Sequence, residues 1–291
     1  MKVSGFTFLR NGRKLGYPFV ESIRSVLPLV DEFVIALGPC EDDTEQMLRA
    51  IGDPKIRIIN TQWNPRMRSD YSIKGFVYGQ QKSIALFNCT GDWAFYLEGD
   101  EVVHEDDLPK IRATMEKYLD DERVESLVFD YIHFYGNANT YAWSPRWYRT
   151  APRILRNTIP AWGPKGLFFT VLETQKKTRY PRAAHSGATI YHYGWVRNEG
   201  AAGLKKADVG KFGRSQPDAP TKYSNVDPIT LKPFTGKHPQ VVQAWLPPAE
   251  GLFQADPNHK LTSREKKHRL MLKLEKWFGV TFNKKHYTLV R

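Results

Sequence analysis

Glu98 and Asp100 are the residues whose type and spacing first suggest chemistry. They close the run Gly91-Asp92-Trp93-Ala94-Phe95-Tyr96-Leu97-Glu98-Gly99-Asp100-Glu101, in which an apolar stretch ends abruptly in acid-glycine-acid-acid. A short apolar run bounded by glycine and charge is predicted to be a buried strand. Residues two apart on an extended chain face the same way, so Glu98 and Asp100 are expected to aim at one target. Gly99 between them is expected to let a bulky group approach the backbone. Two same-side carboxylates at a strand end suit a hard divalent cation that keeps open positions for phosphate oxygens. A solvated acidic turn after a core strand is the plainer alternative.

The elements that must hold this pair precede it in a regular order. Val3 to Leu9 reads as a strand, Tyr17 to Leu27 as a helix and Glu32 to Leu37 as a second strand closed by Gly38-Pro39. A helix follows, opened by Asp42-Asp43-Thr44, with either Asp suited to the N-cap. Lys55 to Ile59 is a third strand, Gln80 to Phe87 a third helix, and the acidic strand comes next. Strands alternating with helices predict an α/β fold: a Rossmann-like, mostly parallel sheet flanked by helices. In open sheets of this kind ligands bind beyond the carboxyl ends of the strands, which is where Glu98 and Asp100 fall. The first strand is not followed by Gly-x-Gly-x-x-Gly, so a dinucleotide fingerprint is absent.

Further on, Asp106 to Leu119 is predicted to be a surface helix, and Ser126 to Tyr135 a long strand. Trp147 to Arg156 is Arg-rich strand material; Phe168 to Leu172 and Thr189 to Trp195 are further strands. From Asn198 to about Lys237 Gly, Pro and Lys dominate, which predicts a long connection. Ser263 to Phe278 is predicted to be a basic helix. Its Leu positions suffice to pack it on the body; its Lys/Arg face also suits an anionic membrane surface.

Among 291 residues there are two cysteines, so no disulfide framework is implied and a reducing compartment is expected. No apolar run approaches the ~18 residues of a spanning helix, and the N-terminus lacks a signal-peptide pattern. Cytoplasmic placement follows as the expectation, with peripheral contact at the inner membrane face as an extension of it. The net charge of +12 implies an anionic partner. A basic module for nucleic acid or membrane is one reading of that charge, but an acidic strand end would repel phosphates unless a cation were bound. No nucleic-acid partner is therefore expected. A nucleotidyltransferase or phosphohydrolase on the same sheet is a second alternative, disfavoured because no phosphate-cradling Gly-rich loop is present.

The segments Gln81-Lys82-Ser83-Ile84-Ala85, Gly91-Asp92-Trp93 and Leu97-Glu98-Gly99-Asp100-Glu101 together resemble family 2 glycosyltransferases of the GT-A fold. The usual form there is Ala-Arg-Asn-x-Ala, then Gly-(Asp/Glu)-Trp, then Leu-Asp-Ala-Asp-Glu. Tyr191-His192-Tyr193-Gly194-Trp195-Val196-Arg197 is similar to the segment that closes the catalytic domain in bacterial members, and His238-Pro239 with the basic helix resembles their tail. The resemblance covers residues 3 to 197. It implies a catalytic domain over 1–197, with a nucleotide-sugar half (1–105) and an acceptor half (106–197), and an extension over 198–291. It implies inverting, metal-dependent transfer from a nucleotide-sugar, a UDP-sugar first, to a glycan or lipid-linked acceptor in cell-surface polysaccharide synthesis. A homodimer is left open.

By the same resemblance, manganese or magnesium is held by Asp100, with Glu98 and His192 as further ligands, and Lys82 contacts the diphosphate. The nucleoside lies against Thr7, Phe8, Leu9 and Arg10, with Glu98 and Gly99 beside the donor. Leu37 stands where the family usually places a base-reading Asp. Inversion needs a general base, normally a carboxylate; Glu173 is the positional match and Asp130 the alternate. Trp143, Trp147, Trp162 and Trp195 are candidates for sugar stacking, although tryptophans near strands are mostly core.

Overall fold

The computed structural model describes residues 1–67, 75–196, 203, 207, 212, 222–248 and 250–290. Arg197 and most of the predicted connection between 198 and 221 lie outside the described residues, and with them the question of a lid there. Strands β1 (Val3–Leu9), β2 (Glu32–Leu37), β3 (Ile56–Asn60) and β4 (Trp93–Tyr96) lie side by side in the order β3-β2-β1-β4, all parallel. Helices α1 (Phe19–Val26), α2 (Thr44–Arg49) and α3 (Phe76–Leu86) connect them. β1 is buried along nearly its whole length, as expected of a parallel strand covered on both faces.

Strand alternation divides the core in two. Leu9, Phe33, Ile35, Phe95, Phe129 and Ile154 pack with Ile23 of α1 and Ile111 of α4 (Leu108–Lys117). Phe6, Val34, Ala36, Ala94, Tyr96 and Phe169 pack with Ala85 and Leu86 of α3. Phe6 is fully buried, so truncating it to alanine would cost about 3–5 kcal/mol.

The parallel pattern stops after β4. The chain turns through Glu98-Gly99-Asp100 into β5 (Glu101–Val103), then passes α4 to β6 (Ser126–Tyr135), β7 (Asn137–Ala142) and β8 (Thr150–Arg156). These last three are joined by short links without helices, which permits antiparallel pairing. β8 is antiparallel to both β4 and β6. β9 (Ala161–Trp162), β10 (Thr170–Thr174) and β11 (Lys177–Arg179) form a separate small sheet. β12 (Arg182–Trp195) runs parallel to β6 and antiparallel to β5, so His192 lies opposite Glu101 on one side and His133 on the other. Residues beyond 198 return to the same sheet: β13 (Leu231–Pro233) pairs with β7, and β14 (Thr288–Leu289) pairs with β12. The C-terminal helix spans Ser263–Phe278, opened by a capping box between Thr262 and Glu265. No helix among the described residues is long and apolar enough to cross a membrane.

Candidate functional site

The acidic segment is a turn. The Glu101 amide donates to the Glu98 carbonyl at 2.9 Å, so the two-residue alternation that would aim Glu98 and Asp100 at one target does not apply. Glu98 and Asp100 instead serve opposite sides of the turn. Gly99 also differs from expectation: a Cβ there would stand 3.1 Å from Leu9 Cδ1 and 3.4 Å from Phe19 Cβ. The close approach it permits is that of the protein's own core.

On one side lies Arg153, fully buried on β8. Its Nε and Nη2 donate to the two carboxylate oxygens of Glu101 at 2.9 and 2.6 Å, and Nη2 reaches Glu98 Oε1 at 3.4 Å. Tyr131 Oη donates to Glu101 at 2.9 Å, and the Glu98 amide does so at 3.1 Å. Burial works against the Arg153 charge, but Glu101, Tyr131 and Glu98 together outweigh it and hold the guanidinium well above its ordinary range. Burial first, then the charge of Glu101, push Glu98 up to about 8 against the pull of Arg153; a bound cation would pull the other way. Glu101 and Arg153 carry the turn, and sequence reasoning assigned neither a role. The signal available was the Arg-rich strand, but nothing local tied it to Glu101 across 52 residues.

On the other side Asp100 meets β12. The Tyr193 amide donates to the Asp100 carbonyl at 2.8 Å, and His192 Nε2 stands 3.7 Å from Asp100 Oδ1. Both side chains are largely buried. Behind His192 is His133 of β6, with the two Nδ1 atoms 3.1 Å apart and His133 Nε2 2.7 Å from the Tyr148 carbonyl. A carbonyl only accepts, so His133 Nε2 carries hydrogen. Burial, and after it His192, pull His133 well below the usual histidine range and keep it neutral. His133 Nδ1 is then an acceptor, and His192 Nδ1–H must donate to it. In a neutral His192 the lone pair consequently sits on Nε2, the atom that faces Asp100. A histidine whose other ring nitrogen is fixed by a buried partner is the usual arrangement of a metal ligand.

Gly194 is the floor of this corner. A Cβ at that position would stand 2.5 Å from Asp100 Oδ2 and 2.6 Å from His192 Nε2, so any larger residue would fill the space between them. No group of three or more His, Cys, Asp or Glu side chains among the described residues could hold a metal ion. One carboxylate and one imidazole are nevertheless a donor set that suits magnesium or manganese, which keep several positions for water and substrate phosphate. The residues present fit such an ion.

The other expected site residues fall at varying distances from this corner. Lys82 is completely buried on α3. Its Nζ donates to the carbonyls of Gly166 and Phe168, both at 2.7 Å, and lies 3.9 Å from the centre of the Phe169 ring. Burial, then the neighbouring Arg153, pull its ammonium well below the usual lysine range, with Glu98 and Glu101 opposing. In this structure it clamps the loop before β10, a task Arg153 shares through the Leu167 carbonyl at 3.1 Å. An ammonium already held by two carbonyls and an aromatic face is not presented to a diphosphate.

Thr7 and Leu9 are buried in β1. Phe8 joins an aromatic cluster with Trp63 and Tyr78, each ring centre 6.0 Å away, and Phe212 packs on Trp63 at 5.1 Å. Arg10 pairs with Glu41 at 2.9 Å and lies 5.4 Å from the centre of the Phe212 ring. This cluster, unread in the sequence, occupies the carboxyl end of β1 where a nucleoside was expected.

Neither candidate base joins the corner. Glu173 sits on the β10–β11 hairpin, paired with Lys177 at 2.8 Å and Arg179 at 3.2 Å. Its Lys177 hydrogen bond holds it below the usual carboxylate range. Asp130 alternates with Tyr131 and His133 along β6 and so takes the opposite face of the sheet, in the electrostatic reach of His185 and Tyr287. Three of the four candidate tryptophans are engaged with the protein itself: Trp147 packs edge-on against Trp195 at 5.4 Å, and Arg149 lies over Trp143 at 4.3 Å, while Trp162 pairs in β9 of the small sheet. Two surface cavities, of about 540 and 640 Å³, are lined by neither Asp100 nor His192.

No protein-family model and no curated protein matches the chain. Solved structures do. Residues 1–349 of S. aureus TarS are 16% identical over 54% of this chain and 47% of that one, with a TM-score of 0.35. A further S. aureus TarS structure is 13% identical over 72% of this chain and 39% of that one, at a TM-score of 0.39. Glucosyl-3-phosphoglycerate synthase from Mycobacterium tuberculosis, in complex with Mn2+, UDP-glucose and glycerol 3-phosphate, is 20% identical over 45% and 44%, at 0.32. The chain spans less than half the length of each of these solved chains. Similarity at that level leaves the chemistry to be read from the side chains.

Proposed function

We propose that this chain is a nucleotide-sugar-dependent glycosyltransferase whose donor diphosphate is anchored at the Asp100–His192 corner. The observation that carries the reading is the pair itself. An acid and an imidazole stand 3.7 Å apart at the carboxyl end of the parallel half, beside a glycine on which a Cβ would stand 2.5 Å from the one and 2.6 Å from the other. The residues that would hold a divalent cation are Asp100 and His192. When bound, that ion supplies positive charge to a leaving diphosphate. His133 positions His192 by accepting its Nδ1–H, and the Tyr193 amide fixes Asp100 from β12. Glu101 and Arg153 keep the turn in shape.

In this reading the nucleoside lies near the carboxyl end of β1, beside rather than within the Phe8–Trp63–Tyr78 cluster that fills it. UDP is the first donor to test, and an inverting transfer to a glycan or lipid-linked acceptor in cell-surface polysaccharide synthesis is the physiological setting we infer. The catalytic body is residues 1–197, completed by β13 and β14 from the extension. The test is calorimetric titration of UDP, GDP, CDP and dTDP with and without manganese, on the wild type and on Asp100→Ala. Metal-dependent binding of one nucleotide, lost in the variant, is the expected result. Absence of metal-dependent binding by any of the four would overturn the proposal.

A further inference from the structure

The C-terminal helix meets the body through three of its charged side chains, Glu265, Arg269 and Glu275, while its largest apolar residues face out. Arg269 donates to both carboxylate oxygens of the buried Asp227, at 2.8 and 2.7 Å. Glu275 accepts from both terminal nitrogens of Arg149 at 2.9 Å, and Glu265 pairs with His259 at 3.1 Å. No residue of the helix is fully buried. Leu272 and Leu274 are half-buried and Leu270 is exposed, and the ion pairs join the two half-buried leucines in seating the helix.

The opposite face carries Lys266, Leu270, Lys273 and Trp277, at positions i, i+4, i+7 and i+11 of one stripe, with Lys267 and Phe278 beside it. Trp277 is 76% exposed, Phe278 68% and Leu270 57%, and the chain just beyond adds exposed Val280 and Phe282. Arg264, Lys266, Lys267, Lys273 and Lys276 are all exposed, and Lys284 and Lys285 follow. Both acids of the helix, Glu265 and Glu275, are turned inward into ion pairs, so the outer face has basic charge only.

We infer that this face docks on an anionic lipid bilayer. Aromatic and aliphatic side chains flanked by lysines match the apolar–polar boundary of a membrane carrying negative headgroups. A second copy of the chain is a poor occupant, because an isologous contact would set this basic face against itself. The ion pairs on the inner side hold the helix in one orientation before it meets lipid. The inference goes beyond the transfer reading, and its test needs no turnover.

The experiment is co-sedimentation of the full chain with phosphatidylcholine vesicles, with and without phosphatidylglycerol, across a range of salt. Binding is expected only to the anionic vesicles and to weaken as salt rises. The double variant Trp277→Ser/Phe278→Ser and the charge reversal Lys273→Glu/Lys276→Glu should each lower partitioning by roughly 10-fold or more. Lys117→Glu, at an exposed position of α4, should leave it unchanged, and all variants should keep the wild-type thermal transition. Equal binding to both vesicle types, or no effect of either double variant, would overturn the inference. So would light scattering that shows a dimer dissolved by Trp277→Ser/Phe278→Ser.

Discussion

The two sides of the Glu98–Glu101 turn use charge in opposite ways. Toward β8, Glu101 meets a guanidinium supplied by the chain itself, with a tyrosine hydroxyl and a backbone amide completing its hydrogen bonds. Toward β12, Asp100 meets His192, whose ring is oriented from behind by His133. The first side is a buried ion pair within the protein, the second a carboxylate and an imidazole side by side at Gly194, where a Cβ would crowd both. Four consecutive residues thus contain both the fixture and the proposed binding end. Substitutions on the two sides should separate folding from ligand binding.

The largest effect is expected at Arg153. Arg153→Ala leaves Glu101 buried without its cation and should lower stability by about 3–5 kcal/mol, read by denaturant melts; an unchanged melt would dissolve the contrast between the two sides. Next comes Asp100→Ala, which should leave the melt within about 1 kcal/mol of wild type. Its metal-dependent nucleotide affinity should nevertheless drop by about 100-fold. A large stability loss there would make Asp100 a fixture as well. His133→Phe should weaken manganese binding by about 10-fold and cost about 1–3 kcal/mol, because the Tyr148 carbonyl and the His192 donor both lose their partner. Manganese affinity can be followed by calorimetry in the presence of nucleotide. Glu173→Gln is the smallest: a melt indistinguishable from wild type, because its ion pairs are exposed and screened, and transfer activity close to wild type. A collapse of kcat in that variant would restore it as the base.

How much of this was legible in the sequence follows from how local each feature is. The first hundred residues advertise alternating strands and helices, and the acidic end of β4 stands out because glycine and charge interrupt an apolar run. His192 was readable through its motif. The side-chain directions were not, because the alternation argument assumes an extended chain, and the backbone bond from Glu101 to Glu98 makes a turn instead. Arg153, His133 and Tyr131 were invisible as partners: Arg153 and Tyr131 reach the turn, and His133 reaches His192, from strands at least 30 residues away. Lys82 looked like a surface helix residue or a diphosphate contact. Only the loop that folds over it from residues 166–168 makes it a buried clamp.

That clamp has an evolutionary consequence. Lys82 and Arg153 grip the loop through the carbonyls of Gly166, Leu167 and Phe168, and a carbonyl is the same whatever residue bears it. The grip is therefore blind to the identity of the residues it holds. Phe168 is fixed by its ring as well, stacked on His286 at 4.6 Å, so Leu167 is the position of this loop whose side chain can change while the carbonyl grip stays put.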